Sequence, residues 1–207
     1  MDNAMKCFAF DLGKVLFDFD YAIALKKIKS DIKIPTHRII HELFYNNFAQ
    51  DFEKGLMGAH EFYKKFCNAF NCSLSYWQFT DAWCNIFSLN REVAAFVKKI
   101  SGFYPIYLIS NINELHFDYL QNNYPEVFSV FNGLILSYKV KSIKPEKRIY
   151  EALKEKSGCN YENIFYIDDR KEFIEEARRF DIKCINFVGL TELKASLKAY
   201  GIVIPAD

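Results

Sequence analysis

Short, continuous apolar runs alternate along the chain with longer stretches in which apolar residues recur every three or four positions. Runs of this kind are typical of strands buried on both faces, and the longer stretches are typical of amphipathic helices. The predicted strands are 6–10, 105–109, 133–137, 163–167 and 183–187. The predicted helices between and after them are 91–100, 113–122, 146–156, 170–180 and 191–199. This alternation indicates an α/β fold with a doubly wound parallel sheet.

Residues 18–87 interrupt the alternation. They contain no segment with a convincing strand pattern, and apolar residues recur there at helical spacing. The helical segments are 37–48, 59–70 and 75–87. We therefore predict an α/β core domain formed by residues 1–17 and 88–207, with residues 18–87 inserted as a helical cap domain. Since the insert leaves and returns near the end of the first strand, the cap should lie over that end.

Composition and charge limit the possible function classes. The net charge of +1 argues against a nucleic-acid-binding surface, which usually needs a basic excess. No apolar run approaches the roughly 18 residues of a membrane span. The first apolar run meets Asp11 too soon for a signal peptide. We expect a cytoplasmic protein, a monomer or homodimer, with no nucleic-acid or membrane partner.

The six cysteines do not indicate a metal or redox site. None forms a C-x-x-C pair, and no nearby histidine completes a zinc-binding spacing. Most of them lie in apolar stretches, so we interpret them as reduced, buried thiols.

Polar residues that could carry chemistry follow predicted strands or precede a predicted helix. They are Asp11, Ser110, Asn111, Lys144, Asp168 and Asp169. Ligands of open α/β sheets bind at the carboxyl ends of the strands. Adjacent carboxylates repel each other unless a cation offsets their charge, and Mg²⁺ combines well with carboxylates and phosphate oxygens. A lysine and carboxylates that bind Mg²⁺ at one edge of the sheet would supply the positioning and charge neutralisation that phosphoryl transfer requires.

Each of these residues has an ordinary structural interpretation when it is taken alone. Asp11 could cap a turn or helix, Ser110 could cap the following helix, and Lys144 could be an exposed lysine before a helix. The order of all of them along the chain is what favours a functional interpretation.

Four segments resemble the haloacid dehalogenase superfamily of phosphatases, over nearly the whole chain. They are Phe10-Asp11-Leu12-Gly13-Lys14-Val15-Leu16, Ile106-Tyr107-Leu108-Ile109-Ser110-Asn111, Ile143-Lys144-Pro145-Glu146 and Phe165-Tyr166-Ile167-Asp168-Asp169. Residues 11–20, 52–55 and 110–116 are further similar to the alpha-D-glucose-1-phosphate phosphatase-like group. The resemblance implies a Rossmann-like core with a helical cap, and Mg²⁺-dependent hydrolysis of a small phosphorylated metabolite.

The resemblance also implies a role for each matched residue. Asp11 would be the nucleophile that forms an aspartyl-phosphate, and Lys144 would supply positive charge to it and to the phosphoryl group. The implied Mg²⁺ ligands are Asp11, the backbone carbonyl of Gly13, Asp168 and Asp169. Ser110 and the amide of Asn111 would hold phosphate oxygens at a helix N-terminus. The substrate would also contact Glu53 in the cap.

Gly13 departs from the usual pattern of this superfamily, which has an aspartate there as general acid and base. General acid and base catalysis increases the reaction rate by roughly 10²–10⁴-fold. A sugar-1-phosphate would need less of it, because an anomeric hydroxyl is a comparatively acidic leaving group. Members of the glucose-1-phosphate phosphatase-like group also carry glycine at this position. The candidates for a substitute acid are Glu53, Asp18, Asp20 and His116.

Two further departures concern Phe173, where the superfamily often has asparagine, and residues 141–143, where a glycine is more usual. Two alternative functions stay open. A 2-haloacid dehalogenase-type hydrolase would use the same nucleophile without Mg²⁺, so the acidic pair at 168–169 argues against it. A non-catalytic binding protein of the same fold would explain Gly13 and Phe173 as losses.

Overall fold

A computed structural model describes residues 6–28, 34–45 and 48–204 of the chain, and the account below concerns these residues. The strands are β1 (Cys7–Phe10), β2 (Phe17–Phe19), β3 (Phe87–Leu89), β4 (Ile106–Ser110), β5 (Gly133–Leu136), β6 (Ile164–Asp168) and β7 (Lys183–Asn186). The α-helices are α1 (Tyr21–Ile28), α2 (Thr36–Tyr45), α3 (Gln50–Glu53), α4 (Ala59–Phe70), α5 (Tyr76–Cys84), α6 (Arg91–Ile100), α7 (Glu114–Asn123), α8 (Pro125–Phe128), α9 (Ser137–Val140), α10 (Lys147–Ser157), α11 (Lys171–Arg178) and α12 (Leu190–Ala199). A 3₁₀ turn covers Tyr161–Asn163.

The main sheet is parallel and has the order β5-β4-β1-β6-β7. Its central strand β1 is fully buried, as expected for a strand covered on both faces. Phe8 and Phe10 pack into the apolar cluster on one face, and Cys7 and Ala9 pack into the cluster on the other. This alternation follows from the two-residue repeat of a strand, and it confirms the predicted doubly wound α/β fold.

Residues 18–87 contain a third apolar cluster that is rich in aromatic side chains. Its centre includes Phe62, Phe66, Phe79 and Trp83, which pack ring against ring. The division into a core domain and a cap domain stays a prediction. The predicted ranges also include residues 1–5, 29–33, 46–47 and 205–207, which lie outside the described residues.

The prediction that residues 18–87 contain no strand was wrong. β2 and β3 form an antiparallel ribbon in which Phe17 pairs with Leu89 and Phe19 pairs with Phe87. Each strand has three residues with a polar one in the middle, which is too short to show a repeat in the sequence. The ribbon lies where the chain passes from β1 into the insert and back.

Helix ends differ from the sequence prediction by a residue at the starts of α7 and α12. α7 begins at Glu114, because the side chain of Asn113 accepts a hydrogen bond from the backbone N–H of His116 at 3.0 Å and caps the helix. α12 begins at Leu190 after Gly189, one residue before the predicted capping residue Thr191. α1, α3, α8 and α9 were not predicted.

The six cysteines carry free thiols, and four of them are buried. Cys67 and Cys72 are half-buried, with their Sγ atoms 3.2 Å apart. In the part of the chain that the structure describes, no helix is long and apolar enough to cross a membrane.

Candidate functional site

The carboxyl edge of the sheet brings the predicted charged residues together. Asp11 directly follows β1, Ser110 ends β4 and Asp168 ends β6. Since β1 lies between β4 and β6, the ends of the three strands are neighbours. The backbone N–H of Asp11 donates to the carbonyl of Ile167 at 2.9 Å, which fixes Asp11 beside the end of β6.

Lys144 lies between two carboxylates at this edge. Its Nζ is 2.7 Å from Asp11 Oδ1 and 2.6 Å from Asp168 Oδ2. It also donates to the carbonyl of Ile109 at 3.2 Å. Lys144 is only 2% exposed, so its charge depends on these partners. Burial alone would lower the pKa of Lys144, but attraction to Asp11 and Asp168 outweighs it and raises the pKa above its ordinary value.

Asn111 holds the backbone of Lys144 in place. The backbone N–H of Lys144 donates to Asn111 Oδ1 at 2.6 Å, and Asn111 Nδ2 donates to the carbonyl of Lys144 at 3.0 Å. This pair of bonds joins the loop after β4 to the loop before α10. The sequence prediction assigned only the backbone amide of Asn111, so this use of the side chain was missed.

Ser110 and Asn111 do not lie at a helix N-terminus, contrary to the prediction. α7 begins three residues after Asn111, because Asn113 caps it. The Ser110 side chain is buried, and its hydroxyl is 3.4 Å from the carbonyl of Asn111. Asn111 lines the cavity described below, whereas Ser110 is not among the lining residues.

The Asp168 carboxylate accepts hydrogen bonds on both oxygens. Tyr166 donates its hydroxyl to Oδ2, and the backbone N–H of Arg170 donates to Oδ1 at 2.9 Å. Burial and the neighbouring Asp168 raise the pKa of Tyr166 well above its ordinary value, so its proton stays on the phenol. Tyr166 was missed because it looks like an ordinary core residue. Its position two residues before Asp168 on one strand places both side chains on the same face.

The three aspartates form a group that could hold a divalent cation. One carboxylate oxygen from each of Asp11, Asp168 and Asp169 lies within 4.8 Å of the others. Carboxylate oxygens are the donors that Mg²⁺ prefers. Burial and the adjacent Asp168 raise the pKa of Asp169. The donor atoms therefore fit a Mg²⁺ ion.

Burial raises the pKa of Asp11 to about 7, against the opposing effect of Lys144 and with a further increase from Asp168. Three carboxylates and one ammonium leave a negative excess. A bound cation would stabilise the ionised form of Asp11. The residues present therefore suit a metal chemically as well as geometrically.

A cavity of about 490 Å³ lies between the carboxyl edge of the sheet and the insert. The core contributes Asp11, Gly13, Lys144 and Asp169 to its lining. The insert contributes polar and apolar side chains, which are Phe19, Tyr21, Leu43, Ala49, Gln50 and Glu53. Of the residues predicted to bind phosphate, metal and leaving group, all but Ser110 and Asp168 line this cavity.

Gly13 lies against an aromatic ring from the ribbon. A Cβ atom at this position would be 2.9 Å from Cε1 of Phe19. Lys14 also contacts that ring, with Nζ 4.8 Å from the ring centroid and 3.0 Å from the carbonyl of Phe19. Phe19 therefore occupies space that a longer side chain at position 13 would need.

Of the four predicted substitute acids, Glu53 lines the cavity and the other three do not. Asp18 is exposed and lies 3.4 Å from Lys14 Nζ, and Asp20 accepts the backbone N–H of Ala22 at 2.8 Å. His116 is buried and makes 3.0 Å contacts to the carbonyl of Trp83 and to Asn113. Burial lowers the pKa of His116 to about 4, so the ring is neutral.

Phe173 lines the cavity, and its ring packs against two cationic groups. Lys144 Nζ is 5.1 Å and the guanidinium of Arg170 is 4.3 Å from its ring centroid. A cation over an aromatic face is attracted by it. The aromatic residue therefore supports the charged cluster where the superfamily often has a polar contact.

A model of haloacid dehalogenase-like hydrolases matches residues 5–181. The chain belongs to this family. Among solved structures, it is similar to a HAD family enzyme from Bacteroides thetaiotaomicron, with 25% identity, a TM-score of 0.81, and coverage of 89% of this chain and 94% of that one. The wild-type form of that enzyme has also been solved in complex with magnesium and inorganic phosphate (26% identity, TM-score 0.79, coverage 88% and 94%).

Two other similarities support the fold. A HAD-like family hydrolase from Porphyromonas gingivalis has 22% identity and a TM-score of 0.82, with 95% of this chain and 98% of that chain covered. L-2-haloacid dehalogenase from Xanthobacter autotrophicus has 14% identity and a TM-score of 0.65, with 97% of this chain and 84% of that chain covered. These similarities concern the arrangement of strands and helices.

Proposed function

We propose that this hydrolase is a Mg²⁺-dependent phosphatase that hydrolyses a small phosphomonoester through an aspartyl-phosphate on Asp11. The observation that carries the proposal is the cluster of Asp11, Lys144, Asp168 and Asp169, of which Asp11, Lys144 and Asp169 line one cavity. The magnesium and phosphate complex of the similar Bacteroides enzyme supports it.

In the proposed reaction the Asp11 carboxylate attacks phosphorus and the ester oxygen leaves. Lys144 holds Asp11 in place and offsets negative charge on the phosphoryl group. A Mg²⁺ ion held by Asp11, the Gly13 carbonyl, Asp168 and Asp169 would supply further charge neutralisation. Ser110 and the amide of Asn111 remain the proposed phosphate contacts, and water then hydrolyses the aspartyl-phosphate.

We propose a sugar phosphate as the substrate class. The insert side of the cavity offers aromatic surface from Phe19 and Tyr21 together with the polar groups of Gln50 and Glu53. Such a mixture suits a hydroxylated ring, which has apolar faces and polar edges. The similarity to the alpha-D-glucose-1-phosphate phosphatase-like group gives the same expectation. We further propose that residues 18–87 act as a cap that excludes water and contacts the leaving group.

The test is a panel of phosphomonoesters assayed with and without Mg²⁺, for the wild type and for Asp11→Asn. We expect phosphate release from sugar phosphates that stops with a chelator, and a fall of more than about 10⁴-fold in Asp11→Asn. Asp181→Asn is the matched control, because Asp181 is exposed and precedes β7 at the opposite edge of the sheet. It should keep wild-type activity.

Two outcomes would contradict this proposal. Release of chloride from a 2-haloacid that is indifferent to the chelator would indicate a dehalogenase. No phosphate release from any ester, with intact Mg²⁺ binding, would indicate a binding protein of this fold.

A further inference from the structure

Among the described residues, four carboxyl groups line the cavity, and Glu53 is the one that belongs neither to the charged cluster nor to a surface ion pair. Asp11 and Asp169 belong to the proposed metal group. Glu172 is exposed and accepts a hydrogen bond from Nε of Arg170 at 2.7 Å. Within the described part of the chain, no group donates a hydrogen bond to the Glu53 carboxylate. Its acid function is therefore available to a molecule in the cavity.

The backbone of Glu53 is fixed to the core by Ser137 at the start of α9. The Ser137 hydroxyl is 2.6 Å from the Glu53 carbonyl, and it accepts the backbone N–H of Ile112 at 2.9 Å. Ser137 is fully buried, so this contact is shielded from water. α3 is thereby joined to the loop after β4, which follows Ser110 and contains Asn111.

The turn after Glu53 is fixed to the core as well. Lys54 Nζ is 2.5 Å from Glu146 Oε1, and the Lys141 ammonium donates to the carbonyl of Gly55. Gly55 has a φ of +64°, and a Cβ there would overlap the carbonyl of Tyr138. We refer to residues 137–146 as the Lys144 segment, since all these contacts lie in it. The same segment thus positions Glu53 above the cavity and Lys144 in its wall.

The surroundings of Glu53 favour exchange of a proton near neutral pH. Burial raises its pKa to about 7, and the positive charge of Arg170 opposes this. The titratable and charged groups that face the same space come from the loops after β1 and β6, from α1, from the Lys144 segment and from the start of α11. They are Lys14, Tyr21, Asp11, Lys144, Asp169, Arg170 and Glu172. A carboxyl group with a pKa close to the working pH can both give and take a proton.

We propose that Glu53 is the general acid and base of this phosphatase, in the role that Gly13 cannot fill. This inference rests on the proposed function. In the first step the Asp11 oxygen forms a bond to phosphorus, the bond from phosphorus to the ester oxygen breaks, and that oxygen takes the proton of Glu53. In the second step water forms a bond to phosphorus and gives a proton to the Glu53 carboxylate, and the bond from phosphorus to Asp11 breaks. Both side chains then return to their starting states.

The experiment compares Glu53→Gln with the wild type on an alkyl phosphate and on p-nitrophenyl phosphate, in the steady state and in the first turnover. The alkyl substrate needs a protonated leaving group, so its kcat should fall by roughly 10²–10⁴. p-Nitrophenolate leaves without a proton. Its first turnover should stay within about threefold of the wild type. Hydrolysis of the aspartyl-phosphate should then be slow, which gives a burst of one equivalent.

The matched control is Asp51→Asn, which makes the same chemical change on the exposed side of α3. It should leave both substrates and both phases unchanged. In the wild type, kcat for the alkyl phosphate should fall as pH rises through about 7, because the acid form of Glu53 is lost. This fall of kcat with rising pH should be absent in Glu53→Gln. Urea midpoints of the variants show whether each is folded.

A merely structural role for Glu53 predicts a different result. Glu53→Gln would then slow the burst and the steady state alike, or would leave the ratio of alkyl to aryl turnover at the wild-type value, and either outcome overturns this inference alone. Wild-type protein that releases no phosphate from any ester overturns the proposed function, and this inference with it.

Discussion

The core and the insert contribute to the cavity in different ways. The core supplies charges that are nearly fully buried, such as Lys144, which lines the cavity, and Asp168, which supports Lys144 from behind the lining; each has several short hydrogen bonds. The insert supplies aromatic surface and Glu53, which is half-buried and is placed by contacts of its backbone. Positions in the core follow from the register of parallel strands, whereas the position of Glu53 follows from a few contacts between distant segments.

This difference predicts which substitutions should lower the free energy of unfolding most. A buried charge that loses its partner is destabilised strongly, because no water replaces the partner. A half-exposed ion pair that is broken is largely compensated by solvent. The predictions below test this contrast, from the largest expected effect to the smallest.

Lys144→Met should have the largest effect. It leaves Asp11 and Asp168 buried side by side without a cation, so in Mg²⁺-free buffer the free energy of unfolding should fall by about 3–5 kcal/mol. kcat should fall by at least about 10²-fold. Urea unfolding and steady-state assays measure the two quantities. The loss of stability should shrink as pH falls, because protonation removes the repulsion between the carboxylates.

Lys139→Met is the control for that variant. Lys139 is exposed and lies in the same Lys144 segment. Its free energy of unfolding should stay within about 0.5 kcal/mol of the wild type. Equal losses of unfolding free energy in the two variants would show that the burial of Lys144 does not cause the loss of stability in Lys144→Met.

Gly13→Asp should destabilise the protein by about 1–3 kcal/mol, because its Cβ would meet the ring of Phe19 at 2.9 Å. It should also raise turnover of alkyl relative to aryl phosphates, since an acid is added beside the leaving group. Adding Phe19→Leu should relieve the crowding and enlarge the change in that ratio. Thermal melts and the two assays check these effects. An unchanged ratio in the stable double variant would contradict the interpretation of Gly13.

The pH dependence of stability should separate the site from the rest of the molecule. The pKa of Asp11 is raised to about 7 in the folded state, from an unfolded value of about 4. The folded state therefore binds more protons between these values, so this group contributes stability that is lost as pH rises from about 4 to about 7.

The measurement is the difference in free energy of unfolding between the wild type and Asp11→Asn across that range without Mg²⁺. Wild-type stability should fall relative to the variant as pH rises, and added Mg²⁺ should reduce the slope. A difference that grows in favour of the wild type with rising pH would show that Asp11 is ionised in the folded state even without a metal.

Lys54→Met should have the smallest effect on stability, below about 1 kcal/mol, because the side chains of Lys54 and Glu146 are 21% and 42% exposed. It should still lower turnover of alkyl phosphates a few-fold, since it loosens the turn after Glu53. Arg148→Met is the control, because it breaks the exposed pair with Glu155 away from the cavity. An equal effect of both variants on turnover would show that Lys54 does not position Glu53.

The sequence predicted the main sheet because its strands are continuous apolar runs and the helices after them are strongly amphipathic. It also predicted the meeting of Asp11 and Asp168, since residues at the ends of parallel strands lie at one edge. That Lys144 joins them was implied by the resemblance to the haloacid dehalogenase superfamily. The ribbon of β2 and β3 was missed because its pairing joins residues far apart in the chain. α3 was missed because it has only one turn.

The role of a side chain was harder to predict where that side chain holds another residue in place by hydrogen bonds. Tyr166 has the appearance of a core residue, and only its hydroxyl contact to Asp168 shows another use. The bonds of Asn111 to Lys144 depend on two loops meeting in space. Glu53 was one of four acids that the sequence left as equals. In the structure Glu53 lines the cavity, whereas Asp18, Asp20 and His116 do not.

The Lys144 segment combines two requirements in ten residues of chain. Ser137 and Glu146, at its two ends, support the turn that carries Glu53, and Lys144 between them neutralises the aspartates. Loss or gain of a single residue there would displace one group relative to the other. Relatives that share this arrangement should therefore vary the identity of residues in this stretch more readily than its length, while loops far from the cavity accept insertions and deletions.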